Sequence, residues 1–216
     1  MKRFQYNKLC RDKTLDRLKA QNCIPKYKIL SGKEYFWELK LKLREESEEV
    51  IEAQTKDELI KELADVKEVY EAILSETDTS ENSIERYRQE KTVERGTFKS
   101  FIYSEYEISS QEEYLERIFD MLVEKSEDVI EVESNKFSKD ILIEELAEVK
   151  EIYEAILSEN NVSENSIEKY RQEKIAERGA FKSRIYIEYA DMPPSAAMYG
   201  YCLKWKDKYP ELPIDK

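Results

Sequence analysis

The sequence predicts an all-α protein in which two tandem helical modules pack as an intrachain pseudo-dimeric bundle. Its composition supports this fold class, because 39% of the residues are charged, 40% are hydrophobic, and only four are Gly and five Pro. Such a composition favours long amphipathic helices over sheets that need many turns. Apolar residues also recur at helical spacing, and a long helical stretch occurs twice in the 216-residue chain.

The N-terminal segment, residues 1–30, is a basic arm with one short predicted helix over residues 11–21. Asn22 follows this helix, and Pro25 interrupts the chain shortly afterwards. The arm carries nine Lys or Arg against two Asp, whereas the whole chain has a net charge of −12. An acidic chain argues against a nucleic-acid partner. The arm therefore either packs on an acidic body or faces a polyphosphate substrate.

The first module, residues 31–108, contains three predicted helices. The tetrapeptides SGKE and TKDE are capping boxes that begin the first two helices, and Gly96 ends the third. The predicted helices cover residues 31–53, 55–76 and 80–95, and an extended or irregular segment follows over residues 97–107. The apolar row of the first helix is Tyr35, Leu39, Leu43 and Val50, and the core stripe of the second is Leu59, Leu63, Val66, Tyr70, Ile73 and Leu74.

The second module, residues 109–190, repeats the first. Residues 62–76 return as residues 145–159 with 13 of 15 positions identical, and SENSIERYRQEK returns with a single substitution. The offset between the copies changes from 79 to 83 residues because four residues are inserted near residues 135–139. Two such units are expected to pack face to face within one chain. The sequence does not decide whether two chains also pair as a homodimer.

The C-terminal tail, residues 191–216, matches neither module. Pro193 and Pro194 interrupt the chain, and Ser195 is expected to cap a short helix that runs to about residue 208. Because the tail is rich in Tyr and Trp, its main interpretation is a packing strap across the bundle. A lid or a base-stacking element is the alternative.

The histidine and cysteine content of the chain excludes several kinds of catalytic and metal site. The chain has no histidine, which excludes Ser-His-Asp triads, histidine bases and most zinc sites. Its three cysteines are odd in number and widely spaced, so they indicate neither a disulfide framework nor a zinc knuckle. No apolar run is long enough for a membrane span or a signal peptide, which predicts a cytoplasmic protein without a membrane partner.

Five carboxylates lie on the first two helices of the first module: Glu45, Glu46, Glu49, Glu62 and Asp65. Within each helix the spacing of three residues places acids on one face. Glu46 falls on the apolar row, where a carboxylate is costly unless it is paired or bound to a metal. Converging oxygen ligands of this kind suit Mg²⁺. A solvated acidic helix face is the alternative.

The second copy is an internal control for this cluster. At the equivalent positions it has Glu124, Lys125, Asp128, Glu145 and Glu148. Lys125 replaces the inward glutamate, and an ammonium group cannot coordinate Mg²⁺, although it can neutralise nearby carboxylates. We therefore expect one metal site per chain, in the first copy.

The pattern EExxE, twelve residues, then ExxD resembles the MazG-like nucleotide pyrophosphohydrolases. These belong to the all-α NTP pyrophosphohydrolase superfamily, together with the dimeric dUTPases and phosphoribosyl-ATP pyrophosphohydrolase. NKLCRDK at residues 7–13 is similar to the KLVRDK stretch of one branch, as is KxxERGxF at residues 91–98 and 174–181. The resemblance covers residues 5–107 well and residues 114–190 in degenerate form.

This resemblance implies Mg²⁺-dependent hydrolysis of a nucleoside triphosphate to the monophosphate and pyrophosphate, as a house-cleaning activity, with Mn²⁺ as a possible substitute ion. The implied metal ligands are Glu46, Glu49, Glu62 and Asp65, and Glu45 would bind a second metal or activate the attacking water. Phosphate-binding candidates are Lys91, Arg95 and Lys99, with Arg11 and Lys13 as further candidates. A non-catalytic module that senses a nucleotide or regulates a partner is the alternative function, and a purely structural bundle is a third interpretation.

Overall fold

The computed structural model describes residues 1–96, 110–132 and 138–214, and within these ranges it contains eight helices and four strands. The elements in chain order are β1 (Lys2–Cys10), α1 (Thr14–Ala20), β2 (Ile24–Ile29), α2 (Gly32–Glu52), α3 (Lys56–Glu76), α4 (Glu81–Arg95), α5 (Gln111–Glu131), α6 (Ser138–Glu159), α7 (Glu164–Arg178), β3 (Ile185–Met192), α8 (Ala197–Lys204) and β4 (Glu211–Leu212). The prediction of a mostly helical protein is confirmed. The segment predicted over residues 97–107 lies outside the described residues, and so do residues 135–137 of the insertion predicted near residues 135–139.

The chain divides into two compact units. One unit contains Met1–Glu38 together with Lys174–Lys216, and the other contains Leu39–Glu173. The division falls inside α2 and α7, so each of these helices contributes residues to both units. None of the helices in the described ranges is long and apolar enough to cross a bilayer.

The first unit holds a four-stranded antiparallel sheet in the order β2-β3-β1-β4, which the all-α prediction missed. Its strands come from both ends of the chain, so β1 pairs Lys2 with Met192 and Cys10 with Ile185. Sequence periodicity reports local structure and carries little information on pairing across such a separation. The basic arm and the tail, predicted as separate segments, therefore meet in one sheet.

One face of the sheet carries the core of this unit. Phe4, Tyr6, Ile187 and Cys202 belong to one buried cluster, and all three cysteines of the chain are buried and free. Rings of the tail pack at the edge of this cluster, with centroids 5.7 Å apart for Phe4 and Tyr199, and 5.0 Å apart for Tyr6 and Tyr209. The tail thus has a packing role in this unit.

The tail helix α8 differs from its prediction. Its N-cap is Ala196, which offers no side-chain cap, and the helix ends at Lys204. The amide of Ala196 donates to the carbonyl of Pro193 in a preceding turn, so Ser195 lies within that turn. The side-chain oxygen of Gln21 accepts from the amide of Ala197 at 2.7 Å and supplies the missing cap.

The second unit is helical, and its helices follow the sequence repeat. The bounds of α5 are those of α2 shifted by 79 residues, and the bounds of α7 are those of α4 shifted by 83. The capping box before α3 is present, because Thr55 accepts from the amide of Glu58 and the Glu58 carboxylate accepts from the amide of Thr55. Every residue of the two predicted apolar rows is buried. The sequence therefore predicted the inward faces of α2 and α3 correctly.

Two serines at equivalent positions of the two copies meet in the core of this unit. The Oγ atoms of Ser47 and Ser126 lie 2.8 Å apart, and both side chains are fully buried. Each hydroxyl also contacts the carbonyl four residues earlier in its own helix, Leu43 for Ser47 and Leu122 for Ser126. The two hydroxyls therefore satisfy their hydrogen-bonding needs without water.

Lysines at equivalent positions of α3 and α6 each pair with two glutamates of the other copy. The contacts are those of Lys67 with Glu164 and Glu168, and those of Lys150 with Glu81 and Glu85. A shift of 83 residues converts the first set into the second. Arginines behave in the same way, since Arg171 pairs with Glu71 and Arg88 pairs with Glu154. The contacts between the copies are thus reciprocal.

The lowered pKa of the Glu168 carboxylate leads us to expect that the protein loses stability in acid. Hydrogen bonds from Arg171 lower its pKa to about 2, against the opposing effect of burial and with further help from Gln172 and Lys67. Because the pKa of Glu168 is lower in the folded protein, its ionised carboxylate stabilises the fold at pH values above the ordinary pKa of 4.5. That contribution to the free energy of unfolding disappears as the pH falls toward 2. Urea unfolding of Glu168→Gln should therefore show a shallower fall in unfolding free energy between pH 4.5 and 2 than the wild type. Equal slopes would contradict this account.

Candidate metal centre

The link between α2 and α3 brings the predicted acidic motif together. Only three residues separate Glu52 from Lys56, and the Thr55 capping box fixes the start of α3. Carboxylate oxygens of Glu46, Glu49 and Glu62 consequently all lie within 4.8 Å of one another. Among the described residues this is the one group of three acids that meets so closely.

Burial distinguishes Glu46 from the other two carboxylates of this group. Glu46 is 5% exposed, whereas Glu49 and Glu62 are half-buried. Burial raises the pKa of Glu46 to about 7; Lys42 opposes this shift, and the charges of Asp65, Glu49 and Glu45 add to it. The predicted inward placement of Glu46 is confirmed, and its carboxylate carries the electrostatic strain expected where several acids converge.

Two further predicted residues lie at the edge of this group. Asp65 is 6% exposed, and its charge acts on Glu46, but it is not one of the three carboxylates that converge within 4.8 Å. Glu45 accepts a hydrogen bond from the ammonium group of Lys42 at 2.9 Å. All five acids of the motif therefore belong to one electrostatic neighbourhood.

Lys42 belongs to this neighbourhood and was not among the predicted site residues. Its Nζ lies 2.5 Å from Glu46 Oε1 and 2.9 Å from Glu45 Oε2. Burial lowers the pKa of Lys42, but Glu46 and Glu45 outweigh this effect and raise the pKa well above its ordinary value. The signal in the sequence was the spacing, because Lys42 precedes Glu45 by three residues and Glu46 by four.

In the second copy a lysine neutralises the equivalent acids, as the sequence comparison predicted. Lys125 Nζ lies 2.8 Å from both Asp128 Oδ2 and Glu148 Oε2. Lys91 adds a second ammonium group, 2.6 Å from Glu148 and 2.9 Å from Glu144. Because two cations already compensate these carboxylates, this cluster has little electrostatic need for a metal ion.

Three of the five predicted phosphate-binding residues have partners in the structure that are not part of the acidic motif. Lys91 contacts acids of the second copy. Arg11 donates to the carbonyl of Gly179 at 3.0 Å, and Lys13 donates to the carbonyl of Ala176 at 2.5 Å. The helix α4 includes Arg95, and Lys99 lies outside the described residues.

The contacts of Arg11 and Lys13 join two stretches of the sequence, NKLCRDK and ERGAF. Asp12 lies beside Gly179, whose φ of +81° ends α7. A Cβ added to Gly179 would come within 2.7 Å of the Asp12 Cβ, so only glycine fits this close approach. The NKLCRDK and ERGAF stretches therefore form a structural junction.

No family model, curated protein or solved structure matches this chain. The resemblance to MazG-like enzymes consequently rests on the sequence motifs alone. The converging carboxylates fit a hard divalent cation in donor type and in number. Glu46, Glu49 and Glu62 are the side chains that could hold it, with Asp65 adjacent to them.

Proposed function

We propose that this protein is a MazG-like, cytoplasmic pyrophosphohydrolase that converts a nucleoside triphosphate, ribo or deoxyribo, to the monophosphate and pyrophosphate with Mg²⁺. One observation supports it most strongly. The EExxE and ExxD halves of the motif, twelve residues apart, bring carboxylate oxygens of Glu46, Glu49 and Glu62 within 4.8 Å of one another. A solvated acidic face does not require such convergence, nor a glutamate that is 5% exposed.

The carboxylates have separate roles in this proposal. Glu46, Glu49, Glu62 and Asp65 would hold the ion, and bound Mg²⁺ supplies neutralisation of phosphate oxygens during phosphoryl transfer. Glu45 would orient the attacking water and accept its proton, because the chain contains no histidine that could do so. The water oxygen then forms the new bond to phosphorus as the phosphoanhydride bond to pyrophosphate breaks.

Phosphate binding in this proposal rests on Arg95 and Lys99, and Mn²⁺ is a substitute ion. The other three predicted cations have other partners: Arg11 and Lys13 donate to main-chain carbonyls, and Lys91 pairs with Glu144 and Glu148. Arg95 is the last residue of α4, and Lys99 follows it by four residues in the sequence.

The two copies act as an intrachain pseudo-dimer in this proposal, with one competent and one degenerate half. The reciprocal lysine and arginine pairs and the contact between Ser47 and Ser126 support this arrangement. Lys125 supports the degenerate assignment, because it is the residue equivalent to Glu46 in the repeat and its ammonium group pairs with Asp128 and Glu148.

A pyrophosphate-release screen over ribo- and deoxyribonucleoside triphosphates tests the activity. The wild type should release pyrophosphate from at least one nucleotide in Mg²⁺ and lose this activity on chelation. Glu46→Ala should abolish it. Turnover that is unchanged in Glu46→Ala would remove this site assignment.

A non-catalytic nucleotide sensor is the second candidate, and Lys42 favours it. Its ammonium group already pairs with two acids of the cluster and could take the place of a metal ion. This function predicts that a nucleotide raises the melting temperature without turnover across the whole panel. Pyrophosphate release that depends on Mg²⁺ would exclude it.

Reconstruction of the second site gives a sharper prediction. In the triple variant Lys125→Glu, Asp128→Glu and Glu148→Asp, the second copy regains the acidic pattern of the first. Removal of the Lys125 ammonium group uncovers carboxylates that then need a cation. Isothermal titration should detect one more Mg²⁺ per chain than in the wild type. An unchanged stoichiometry in a folded variant would contradict the degenerate-site argument.

A further inference from the structure

The two units of the chain differ in the sign of their charge. The unit that contains the sheet, Met1–Glu38 with Lys174–Lys216, has 18 Lys or Arg against 10 Asp or Glu, a net charge of +8. The helical unit, Leu39–Glu173, has 18 against 38, a net charge of −20. The charge of the whole chain, which argued against a nucleic-acid partner, is therefore unevenly distributed. An anionic ligand is electrostatically favoured on the unit that contains the sheet.

Three aromatic rings of the tail, which we call the tail platform, form a connected surface at the end of α8. The ring centroids of Tyr201 and Trp205 lie 6.2 Å apart, and those of Tyr201 and Tyr209 lie 5.8 Å apart. Tyr201 is 45% exposed and Trp205 is 39% exposed. The amide of Trp205 donates to the carbonyl of Tyr201, and the amide of Tyr209 donates to the carbonyl of Trp205. Because these hydrogen bonds fix the backbone, the rings are already positioned for a ligand.

Lysine side chains lie against the rings of the tail platform. The ammonium nitrogens of Lys204 and Lys208 lie 5.0 Å and 5.9 Å from the centre of the Trp205 ring. Lys8 of β1 reaches the other end of the platform, where its ammonium nitrogen lies 4.7 Å from the centre of the Tyr209 ring. The platform therefore combines aromatic rings with positive charge from both the start and the end of the chain.

Two of the lysines near the tail platform make no ion pair. Lys204 and Lys206 are exposed, and neither has an acidic partner in the ranges that the structure describes. Residues 201–209 contain three lysines and a single acid, Asp207. Cations that no carboxylate neutralises attract anionic groups such as the phosphates of a nucleic acid.

The remaining side chains of α8 distinguish a nucleic acid from a membrane as the partner. Cys202 belongs to the core cluster of the sheet, and Met198 and Leu203 pack against that cluster. The helix α8, all of which the structure describes, therefore lacks the exposed aliphatic face with which amphipathic helices enter a bilayer. Exposed rings beside cations are instead the features on which single-stranded nucleic acids stack their bases.

We propose that the tail platform binds single-stranded nucleic acid. Bases stack on the exposed rings of Tyr201 and Trp205, and the surrounding lysines contact the phosphates. This role corresponds to the base-stacking alternative for the tail. The proposal goes beyond nucleotide hydrolysis and does not depend on it, because every residue of the platform lies in the unit that contains the sheet, whereas the acidic motif lies in the helical unit.

Fluorescence anisotropy of a labelled oligothymidylate, about ten nucleotides long, tests the site. The titration is carried out in EDTA at low salt, so that no divalent ion at the acidic motif contributes. The anisotropy should rise in a saturable way, and log affinity should fall against log salt with a slope of about −0.7 for each phosphate contacted. A duplex of the same length should bind at least about fivefold more weakly, because its bases are already stacked on one another.

The two tryptophans of the chain provide a matched pair of variants. Trp205→Ala should weaken binding of oligothymidylate by at least about fivefold, the lower end of the effect of one lost stacking contact. Trp37→Ala should leave the affinity within about twofold, because Trp37 is 47% exposed in the same unit but is not part of the platform. The double variant Lys204→Gln with Lys206→Gln keeps all three rings and should reduce the salt slope by about 1.4.

Four results would overturn the proposal: no saturable rise in anisotropy with oligothymidylate, equal binding of the duplex, equal effects of the two tryptophan substitutions, or an unchanged salt slope in the lysine variant. Cosedimentation with phosphatidylglycerol vesicles tests the rival partner. Binding to these vesicles without binding to oligothymidylate would replace the nucleic acid by a membrane surface.

Discussion

Glu62→Gln is expected to lower Mg²⁺-dependent pyrophosphate release by more than about 100-fold. The substitution keeps the shape of the side chain but replaces one of three converging carboxylates by an uncharged amide. Loss of residues that merely support metal ligands costs about 10–100-fold in metal affinity or activity, so loss of a ligand should cost at least as much. Initial rates at saturating nucleotide measure the effect, and raised Mg²⁺ should recover only part of it.

The repeat supplies the control for this experiment. Glu145 is the equivalent of Glu62 in the second copy, where Lys125 and Lys91 neutralise the acids. Glu145→Gln should therefore retain pyrophosphate release within about twofold of the wild type, as expected for a residue outside a metal site. Equal losses in the two variants would mean that the copies contribute equally, which contradicts a single competent site.

Arg171→Met is expected to destabilise the protein by about 3–5 kcal/mol, the usual result of removing one partner of a buried ion pair. The Arg171 guanidinium lies 2.8 Å from a carboxylate oxygen of Glu68 and 2.8 Å from one of Glu71. The Glu68 side chain is only 6% exposed, so its charge would lose this partner without gaining water. Urea unfolding followed by circular dichroism measures the change.

Arg88→Met is the matched control for Arg171→Met. Arg88 is the equivalent arginine in the first copy, but its partners Glu85 and Glu154 are more exposed, at 36% and 45%. Exposed pairs contribute about 0–1 kcal/mol, because water screens the charge that is left behind. The double variant Arg171→Met with Glu68→Gln should recover part of the loss. Equal destabilisation by the two arginine substitutions would contradict this explanation.

The helices were the part of the fold that the sequence predicted best. Capping boxes and apolar rows are local signals, so the start of α3 at Lys56 and the burial of Leu39 and Leu43 followed from spacing alone. The sheet was missed because β1 pairs with β3, so that Lys2 lies opposite Met192. Pairing at that separation depends on the whole fold, and no local pattern encodes it.

The acids of the candidate site were predictable from the sequence, and its cations were less so. Glu46 interrupts an apolar row, and this position alone marks it as an inward carboxylate. Lys42 was missed although it precedes Glu45 by three residues and Glu46 by four, the spacing that brings side chains together on one helix. The contact of Lys91 with Glu148 of the other copy depends on tertiary packing, which spacing along one helix does not determine.

Binding of a divalent ion by the first-copy acids is the central claim, and Mn²⁺ titration followed by electron paramagnetic resonance tests it most directly. Mn²⁺ prefers the same oxygen ligands as Mg²⁺, and the sharp signal of the free ion disappears when the ion is bound. The wild type should remove Mn²⁺ from the free pool in a saturable way that Mg²⁺ reverses, and Glu46→Ala should not. Equal Mn²⁺ binding by the wild type and Glu46→Ala, or none by either protein, would contradict the account.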